Sequence, residues 1–430
     1  MGKTKSSRRN RSTNTQSKGH PFSLLIKPAS GECNLRCDYC FYLEKCDLFP
    51  SAEPRRMSEE TVTAMLKSYF STPQPSYAFA WQGGEPTLMG LDFFKRVVEL
   101  QRELAPPGAQ ITNAIQTNGT LITEAFAEFL SKNRFLVGIS IDGPEEIHDR
   151  YRLAVSGGAT HANVLRGLDR LKAAGAEVNA LTVVNDINVD KAPAIYDYLK
   201  DELGLRWHQY IPLVELDEKG ERLPFTITGA QWGRFLNDLF DSWYPDDTRR
   251  VSIRLFDSLL QLLAHGTYAQ CTMAGSCSSY VVVEHNGEIY PCDFYVEPEL
   301  RLGSVNESGL AAARRTPRET RFAAQKSRWP EECARCPHLM LCSGDCPRMR
   351  LEDGRSLLCE GWKAFYGRNL ESFRSLARTV PGYNGGVDRL MRETDVEAPC
   401  FCGSGKRFGN CHGARGRAGR THTGANQQFS

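Results

Sequence analysis

Three cysteines lie close together near the amino terminus of this 430-residue chain. Cys33, Cys37 and Cys40 follow directly after the strand-like run Ser-Leu-Leu-Ile-Lys at positions 23–27. Three thiolates at this spacing can hold three irons of a four-iron cluster and leave the fourth iron without a protein ligand. An open position on a metal is where a cofactor or substrate binds and reacts. The alternative is a structural zinc knuckle that lacks one ligand.

A second group of cysteines lies in the carboxyl-terminal half. Eight cysteines between positions 271 and 359 fit two further four-cysteine clusters. The dipeptide at 286–287, Asn-Gly, separates two β-rich runs and predicts a hairpin. That hairpin would present Cys292 and Asp293 near the first two cysteines of the group. Zinc is the alternative metal here, because zinc and iron–sulfur sites share thiolate ligands.

Four more soft ligands stand near the end of the chain. Cys400, Cys402, Cys411 and His412 suffice for a closed tetrahedral zinc site. Cys46 belongs to none of these groups, and we expect a free thiol there. The odd total of fifteen cysteines, tightly clustered, favours metal binding over disulfides.

The composition argues against several classes of protein. With 41% hydrophobic residues the chain can bury one large core and a smaller second one. A formal net charge of +2 gives no support for nucleic acid or an anionic membrane as the main partner. No apolar run reaches the length of about 18 residues that spans a bilayer. The basic, polar residues through Lys18 also lack the apolar core of a signal peptide. We therefore expect a cytoplasmic protein of two or three domains.

Elements that could position these residues alternate regularly between about Pro21 and Leu213. The predicted strands are 23–27, 77–81, 111–116, 136–141, 178–184 and 206–211. Helices are predicted to begin after a cap at Ser58, at Thr123–Glu124, and near His161 and Asp190, with a further amphipathic helix around 229–243. This alternation predicts an α/β fold in which a parallel sheet closes into a partial (β/α)6 barrel with the helices outside.

In such barrels the functional residues follow the carboxyl ends of the strands. The three-cysteine loop follows the first predicted strand, Gly83-Gly84-Glu85-Pro86 the second, 117–119 the third and 142–144 the fourth. The glycine pair lets the backbone approach a ligand closely, and Glu85 could accept a hydrogen bond from an ammonium. Taken alone, this tetrapeptide is just as typical of a plain strand-to-helix turn.

The string from Cys33 to Cys40, followed by Phe41-Tyr42, resembles the signature of the radical S-adenosylmethionine (SAM) family. In that family SAM chelates the free iron, and its cleavage gives a 5′-deoxyadenosyl radical. The resemblance implies that the Gly83–Glu85 loop binds the SAM amino group. The other positions that it implies line SAM or the substrate are Gln82, Ser140, Asp142, Arg152 and Leu213. For Arg152 a surface ion pair is an equal alternative.

The order of the later cysteines resembles the twin-cluster SPASM extension of radical SAM enzymes that modify peptides. The resemblance implies a first auxiliary cluster on Cys271, Cys277, Cys292 and Cys346. It implies a second auxiliary cluster on Cys333, Cys336, Cys342 and Cys359. The terminal cysteines and histidine look like a SEC-C motif, a small zinc module whose expected work is partner binding or a purely structural knot.

Asp293 is the residue that we single out for proton chemistry. The SPASM cysteine pattern of the chain resembles that of anaerobic sulfatase-maturating enzymes. In those enzymes an aspartate at the position that follows Cys292 here is the proposed base that takes the proton of the substrate thiol or hydroxyl. Burial in a partly dry pocket makes a carboxylate a usable base. Tyr42 sits where such enzymes have a tyrosine close to the active site. From the residues alone, a turn aspartate and a tyrosine that packs in the barrel are the simpler alternatives.

The predicted organisation divides the chain into six parts. They are a disordered basic tail at 1–20, a radical SAM partial barrel at 21–225, a connecting helical segment at 226–270, a SPASM domain at 271–375, a SEC-C-like zinc module at 396–414 and a disordered tail at 415–430.

The family resemblance implies oxidation of a sulfatase cysteine or serine to Cα-formylglycine. It implies three 4Fe–4S clusters and SAM, with zinc as a further metal. The implied partners are an unfolded or nascent sulfatase segment, Cys/Ser-x-Pro-x-Arg, and a flavodoxin- or ferredoxin-type electron donor. The alternatives are another SPASM peptide modifier that forms thioether or carbon–carbon crosslinks, and a non-catalytic metal-binding adaptor.

Overall fold

The computed structural model of the protein describes residues 21–43, 45, 48–49, 54–402 and 404–414. The two predicted tails and Cys46 lie outside these residues. The strands are β1 Ser23–Lys27, β2 Leu35–Cys37, β3 Tyr77–Trp81, β4 Ile111–Thr117, β5 Leu136–Ser140, β6 Arg152–Ala154, β7 Glu177–Val184, β8 Trp207–Pro212, β9 Ser252–Ile253, β10 Tyr280–Glu284, β11 Glu288–Tyr290 and β12 Gly303–Ser304.

The α-helices surround this sheet and continue into the cysteine-rich half. They are α1 Glu59–Phe70, α2 Gly90–Leu104, α3 Glu124–Lys132, α4 Glu145–His148, α5 His161–Ala173, α6 Ala192–Asp197, α7 Gly229–Trp243, α8 Arg254–His265, α9 Gly309–Ala313, α10 Pro317–Gln325, α11 Glu331–Arg335, α12 Leu339–Cys342, α13 Cys359–Ala377 and α14 Gly386–Glu393. Among the described residues, no helix is long and apolar enough to cross a membrane.

The six predicted barrel strands form adjacent parallel pairs in the order β1-β3-β4-β5-β7-β8. Every one of them alternates with helical chain, which covers the outer face of the sheet with apolar side chains such as Val62, Met65 and Leu66 of α1. The predicted partial (β/α)6 barrel is therefore confirmed. Its carboxyl edge carries the loops after β1, β3, β4 and β5, which the sequence analysis expected to hold the functional residues.

Local signals explain where the helices begin. The hydroxyl of Ser58 accepts a hydrogen bond from the backbone of Thr61 at the start of α1, and Thr123 caps α3 in the same way. A capping box formed by Thr228 and Gln231 begins α7. The helix expected near Asp190 begins two residues later, at Ala192. This lies within the usual uncertainty of helix ends.

The predicted hairpin forms, but its position was not foreseen. Strands β10 and β11 pair antiparallel around the Asn-Gly turn, as Val282 opposite Tyr290 shows. Strand β10 also pairs in parallel with β1, from Ser23 opposite Tyr280 to Lys27 opposite Glu284. The cysteine-rich half thus adds three strands at the β1 edge of the barrel sheet, and β9 of the connector adds one beside β8, which makes ten strands in all.

A second junction joins the two halves on the helical side. Helix α7 of the predicted connector packs along α13 of the cysteine-rich half. The backbones approach so closely that a Cβ on Gly361 would lie 2.3 Å from the carbonyl oxygen of Gly229. Helices α8 and α14, which the sequence analysis did not assign, pack on each other beside this pair.

Candidate active site and metal centres

The three-cysteine loop runs from the end of β1 into β2. Cys33, Cys37 and Cys40 belong to or pack against one apolar cluster that includes Tyr39 and Leu213. Strand β2 is held by its antiparallel partner β6, with Cys37 opposite Arg152. Two N–H groups point at the sulfur of Cys33: the backbone of Leu35 at 3.3 Å and the side-chain amide of Asn118 at 3.6 Å. Such donors stabilise a thiolate that ligates a metal.

Burial controls the acidity of these thiols. It raises the pKa of Cys33 to about 12 and that of Cys40 to about 11, and it also raises the pKa of Cys37. A metal overcomes this cost because it replaces the proton on each sulfur. Among the described residues, the group whose ligand atoms all lie within 4.8 Å of one another is a different one, near the end of the chain.

The Gly83–Glu85 loop packs against the backbone that leads into the cysteine loop. The N–H of Gly84 donates to the carbonyl of Ser30 at 2.8 Å, and that of Glu85 donates to the carbonyl of Glu32 at 2.7 Å. A Cβ on Gly84 would lie only 1.9 Å from the oxygen of Glu32. The close approach that requires this glycine is thus to protein backbone.

The side chain of Glu85 accepts hydrogen bonds from the protein itself. Its carboxylate is completely buried. One oxygen accepts hydrogen bonds from the backbone and hydroxyl of Thr87 and from the hydroxyl of Thr117, and the other accepts from the backbone of Asn118 at 2.7 Å. Burial raises the pKa of Glu85 and these hydrogen bonds oppose the shift. Glu85 therefore ties the loops after β3 and β4 together.

Asp142 and Arg152 meet at Tyr39 of the cysteine loop. The hydroxyl of Tyr39 donates to Asp142, and Arg152 donates to the same hydroxyl at 2.9 Å. Both charged side chains are more than nine-tenths buried, which excludes the surface ion pair for Arg152. Ser140, at the end of β5, accepts from the amide of Gln116 at 3.0 Å. These contacts brace the cluster loop from the β5 side of the barrel.

Asp293 lies at the junction of the barrel and the hairpin, and its carboxylate is almost completely buried. Tyr42 donates to Oδ2 at 2.5 Å and the amide of Gln82 donates to the same oxygen at 3.1 Å. The ammonium of Lys27 lies 2.7 Å from Oδ1 and 3.6 Å from a carboxylate oxygen of Glu284. The structure thus brings together Asp293 and Tyr42, which are 251 positions apart in sequence.

Lys27 and Glu284 are the residues of this site that sequence reasoning missed. Both are only 1% exposed. They face each other because β1 and β10 pair with Lys27 opposite Glu284. The available signal was a lysine that ends the apolar run at 23–27 and a glutamate that ends the run at 280–284. A charged residue at the carboxyl end of a buried barrel strand is a candidate functional residue, because barrel enzymes have their active sites at that edge.

The eight later cysteines surround two cavities. One cavity is lined by Cys271, Cys277, Cys292 and Cys346. The other is lined by Cys333, Cys336, Cys342 and Cys359. This division is the one that the SPASM resemblance implied. Burial raises the pKa of the first set, to about 11 for Cys277 and to about 12 for Cys292 and Cys346. Each cavity fits a cluster held by four thiolates.

Lys326 is a fully buried cation beside the first of these cavities. Its ammonium donates to the carbonyl of Thr272 at 2.9 Å and to that of Asp345. Burial lowers the pKa of Lys326. A positive charge at this place compensates the negative charge of nearby thiolates.

The ligands near the end of the chain form a compact buried group. We call residues 398–414 the terminal module. The ligand atoms of Cys400, Cys402, Cys411 and His412 all lie within 4.8 Å of one another. Cys400 Sγ is 3.3 Å from His412 Nδ1, and Cys402 Sγ is 3.6 Å from Cys411 Sγ. A tetrahedral zinc ion with Zn–S bonds of about 2.3 Å needs ligands about 3.8 Å apart, so these four fit one.

A groove separates the cysteine loop from the cysteine-rich half. Its walls are Asp38, Tyr39, Cys40, Phe41, Leu43, Lys45, Glu215, Leu216, Leu223, Phe225, Phe294, Tyr295, Glu297, Pro347, Arg348 and Arg350. Phe294 follows Asp293, and Phe41 precedes Tyr42, so the groove begins beside the buried carboxylate. The rings of Phe41 and Phe294 are in contact, with centroids 4.8 Å apart.

A partial parallel barrel with a three-cysteine loop, extended by a second cysteine-rich unit, defines a radical SAM enzyme with a SPASM domain. The family models agree. The Radical SAM superfamily matches residues 28–199, the SPASM iron-sulfur cluster-binding domain matches 265–337, and the SEC-C motif matches 398–414. Iron–sulfur clusters and SAM therefore belong to this protein.

Comparison with similar proteins shows which family of radical SAM enzymes the chain belongs to. The serine-type anaerobic sulfatase-maturating enzyme of Bacteroides thetaiotaomicron is 36% identical over 80% of this chain and 89% of its own. The cysteine-type enzyme of Clostridium perfringens is 39% identical over 80% of this chain and 95% of its own. A solved structure of native anSMEcpe with bound AdoMet and Cp18Cys peptide covers 84% of this chain and 100% of its own, with 37% identity and a TM-score of 0.78. The chain belongs to the family of anaerobic sulfatase-maturating enzymes.

Proposed function

We propose that the protein oxidises a cysteine or serine side chain of a sulfatase polypeptide to Cα-formylglycine. The observation that carries the proposal is the buried carboxylate of Asp293, which precedes Phe294 of the groove wall and is held by Lys27, Tyr42 and Gln82. A base at this position can take the thiol or hydroxyl proton of a peptide side chain while water is excluded. The family membership supports the same reaction.

The proposed cofactors are SAM, three 4Fe–4S clusters and one zinc ion. Cys33, Cys37 and Cys40 would hold the cluster with the open iron, and the two four-cysteine cavities would hold the auxiliary clusters. When bound, the open cluster and SAM supply a 5′-deoxyadenosyl radical that removes a hydrogen from the Cβ of the target side chain. The proposed electron donor is a protein of the flavodoxin or ferredoxin type.

The residues of the chain then have distinct roles. Asp293 accepts the thiol or hydroxyl proton, and Lys27 compensates the charge of the carboxylate before that transfer. Tyr42 and Gln82 both bind Oδ2 and so fix the direction of the carboxylate. Burial raises the pKa of Tyr42 well above its ordinary value, so this residue acts as a neutral donor. The remaining electron of the substrate radical would pass to the auxiliary clusters that the two four-cysteine cavities would hold. With a serine target this gives the aldehyde, and with a cysteine target hydrolysis of a thioaldehyde, with release of sulfide, completes the reaction.

Acidic and basic side chains both line the groove: three carboxylates stand beside Lys45, Arg348 and Arg350. One of the carboxylates, Glu215, binds Arg348 at 2.5 Å. Asp38 and Glu297 are exposed and face the same space. We propose that they receive the arginine of a Cys-x-Pro-x-Arg or Ser-x-Pro-x-Arg segment, because an arginine pairs best with carboxylates.

The test is an anaerobic assay of the cluster-loaded protein with SAM, a reductant and peptides that contain either segment. Mass spectrometry should detect an aldehyde in place of the cysteine or serine, together with 5′-deoxyadenosine. Asp293→Asn should lower the yield of aldehyde at least tenfold and leave SAM cleavage measurable, because the radical still forms. A thioether or carbon–carbon crosslink in another peptide, with no aldehyde in these, would contradict the proposal.

Asp247 offers a matched control for that variant. It is 4% exposed and binds a tyrosine, Tyr196, at 2.8 Å and a lysine, Lys200, at 3.1 Å, far in sequence from the cysteine loop. Asp247→Asn should lower stability without changing the ratio of aldehyde to 5′-deoxyadenosine. If the ratio of aldehyde to 5′-deoxyadenosine fell equally in Asp293→Asn and Asp247→Asn, the effect would not be specific to Asp293, and Asp293 would not be the base.

A further inference from the structure

The terminal module is packed directly on a loop of the cysteine-rich half. The loop at 268–277 donates the N–H of Gly275 to the carbonyl oxygen of Cys402 at 2.9 Å. The approach is so close that a Cβ on Gly275 would lie 2.6 Å from that oxygen and 2.7 Å from the sulfur of Cys402. Tyr268, at the start of the loop, packs against the apolar cluster around the terminal ligands.

The same loop carries Cys271 and Cys277, two of the four thiols around the first auxiliary cavity. The loop has no strand of its own, and Cys271 is exposed. The position of that thiol therefore depends on what holds the loop. Two further side chains hold the loop: Lys326 donates to the carbonyl of Thr272, and Ser343 donates to that of Met273 at 2.7 Å.

A second contact joins the terminal module to the segment that contains Lys326. Lys406 donates to the carbonyl of Ser327 at 2.6 Å and lies over the ring of Trp329, 5.1 Å from its centre. Trp329 also meets the ring of His412, with centroids 6.1 Å apart. The module thus touches the loop at 268–277 itself and one of the two segments that support it.

We propose that metal bound by the terminal module clamps the loop at 268–277 and thereby holds Cys271 and Cys277 in place as ligands of the first auxiliary cluster. A module of this size has too little apolar surface to fold alone, so its shape depends on the ion. With the ion in place, the carbonyl of Cys402 is fixed and the N–H of Gly275 has its partner. The module serves as an internal brace, in addition to any partner that it binds.

This inference rests on the proposed cluster ligands but not on the identity of the peptide substrate. The first test is Cys411→Ser in the full-length protein. This change removes a metal ligand but leaves both groups of the Gly275–Cys402 hydrogen bond, the N–H and the carbonyl, in the chain. Zinc per chain should be lost, and iron per chain should fall by the content of one cluster. Hydrogen exchange of the loop at 268–277 should accelerate on the order of tenfold, as the loss of one hydrogen bond and its packing predicts.

Gly275→Ala tests the contact while all four ligands of the terminal module remain present. The added Cβ would lie 2.6 Å from the carbonyl oxygen of Cys402, so the loop must move away from the module. Exchange of the loop should accelerate and iron should fall, while zinc stays above the content of Cys411→Ser. Gly367→Ala is the control, because a Cβ there meets no atom within 4 Å, and it should change neither quantity. Unchanged iron and unchanged exchange in Gly275→Ala would overturn the inference, as would a purified protein that contains full iron and no zinc. Zinc content, iron content and hydrogen exchange are all measured without formylglycine formation. A negative result in the peptide assay can therefore be distinguished from a negative result for the role of the terminal module.

Discussion

Lys27 carries a buried positive charge that two carboxylates share. Its ammonium is 2.7 Å from Asp293 and 3.6 Å from Glu284, and it lies over the ring of Tyr42 at 4.5 Å from the centre. Removal of one partner from a buried ion pair costs about 3–5 kcal/mol, because the other charge is left without compensation. When Asp293 becomes neutral on taking a proton, Glu284 remains as the partner of Lys27. Lys27 therefore has a carboxylate partner both before and after proton transfer.

Lys27→Met should separate radical formation from product formation. Without the ammonium, the carboxylate of Asp293 loses its charge partner and its fixed position, so we expect at least a tenfold lower ratio of formylglycine to 5′-deoxyadenosine. Both products are measured in the same anaerobic reaction. Lys200→Met is the control, since Lys200 binds the buried Asp247 at 3.1 Å. If the ratio in Lys27→Met equals that in the control, Lys27 has only a structural role.

At the scale of single residues, the sequence predicts metal ligands better than it predicts hydrogen-bond partners. Cysteine spacing limits the ligand sets, and the structure groups the same thiols around each cavity. Glu85 accepts hydrogen bonds from Thr87, Thr117 and Asn118, and its contact with an ammonium stays a prediction. Thr87 lies in the same loop, but Thr117 and Asn118 come from the end of the neighbouring strand β4, and sequence spacing does not show which donor there lies nearest.

The loops after β1 and β3 act as one unit. The backbone of Gly84 lies against the carbonyl of Glu32, one residue before Cys33, and Glu32 itself accepts hydrogen bonds from Arg55 and Arg56. Any side chain at position 84 must displace the segment that leads into the first cluster cysteine. Packing of backbone on backbone thus sets the position of the open metal site.

Gly84→Ala should therefore impair the radical cluster selectively. The new Cβ would lie 1.9 Å from the oxygen of Glu32, so the start of the cysteine loop must move and Cys33 with it. We expect iron to fall by the content of one cluster and 5′-deoxyadenosine formation to fall at least a hundredfold. Anaerobic iron analysis and a SAM-cleavage assay measure the two effects. Gly367→Ala should retain full values of both, and wild-type SAM cleavage in Gly84→Ala would contradict this account.

Local elements were predictable because their signals are local. Both ends of strand β3 were predicted correctly, and the end of β5 was predicted within one residue. The cap at Ser58 correctly marked the start of α1. The two-residue strand β9 and the pairing of β10 with β1 were not predicted. Strand pairing joins positions about 250 residues apart, and no periodic pattern in either segment specifies its partner.

At the scale of the whole molecule, one apolar core runs through both halves. It contains Ile26 of β1, Val283 of β10, Ile289 of β11 and Phe365 of α13 in a single contiguous cluster. The shared sheet and the packing of α7 on α13 cross the predicted boundary between barrel and SPASM domain. A protein arranged in this way is expected to unfold as one cooperative unit, because neither half has a separate core.

Ile289→Ala tests this cooperativity. Ile289 is fully buried in β11, outside the barrel, and truncation of a buried isoleucine costs about 2–5 kcal/mol. If the core is shared, native-state hydrogen exchange should show an equal loss of protection in the barrel strands β4 and β5 and in β10, because such amides exchange only through global unfolding. Leu121→Ala, at a residue that is 38% exposed, should change these free energies by less than about 0.5 kcal/mol. A loss confined to β10 and β11, with β4 and β5 unaffected, would mean that the cysteine-rich half unfolds separately and that its clusters can be lost while the SAM site stays intact.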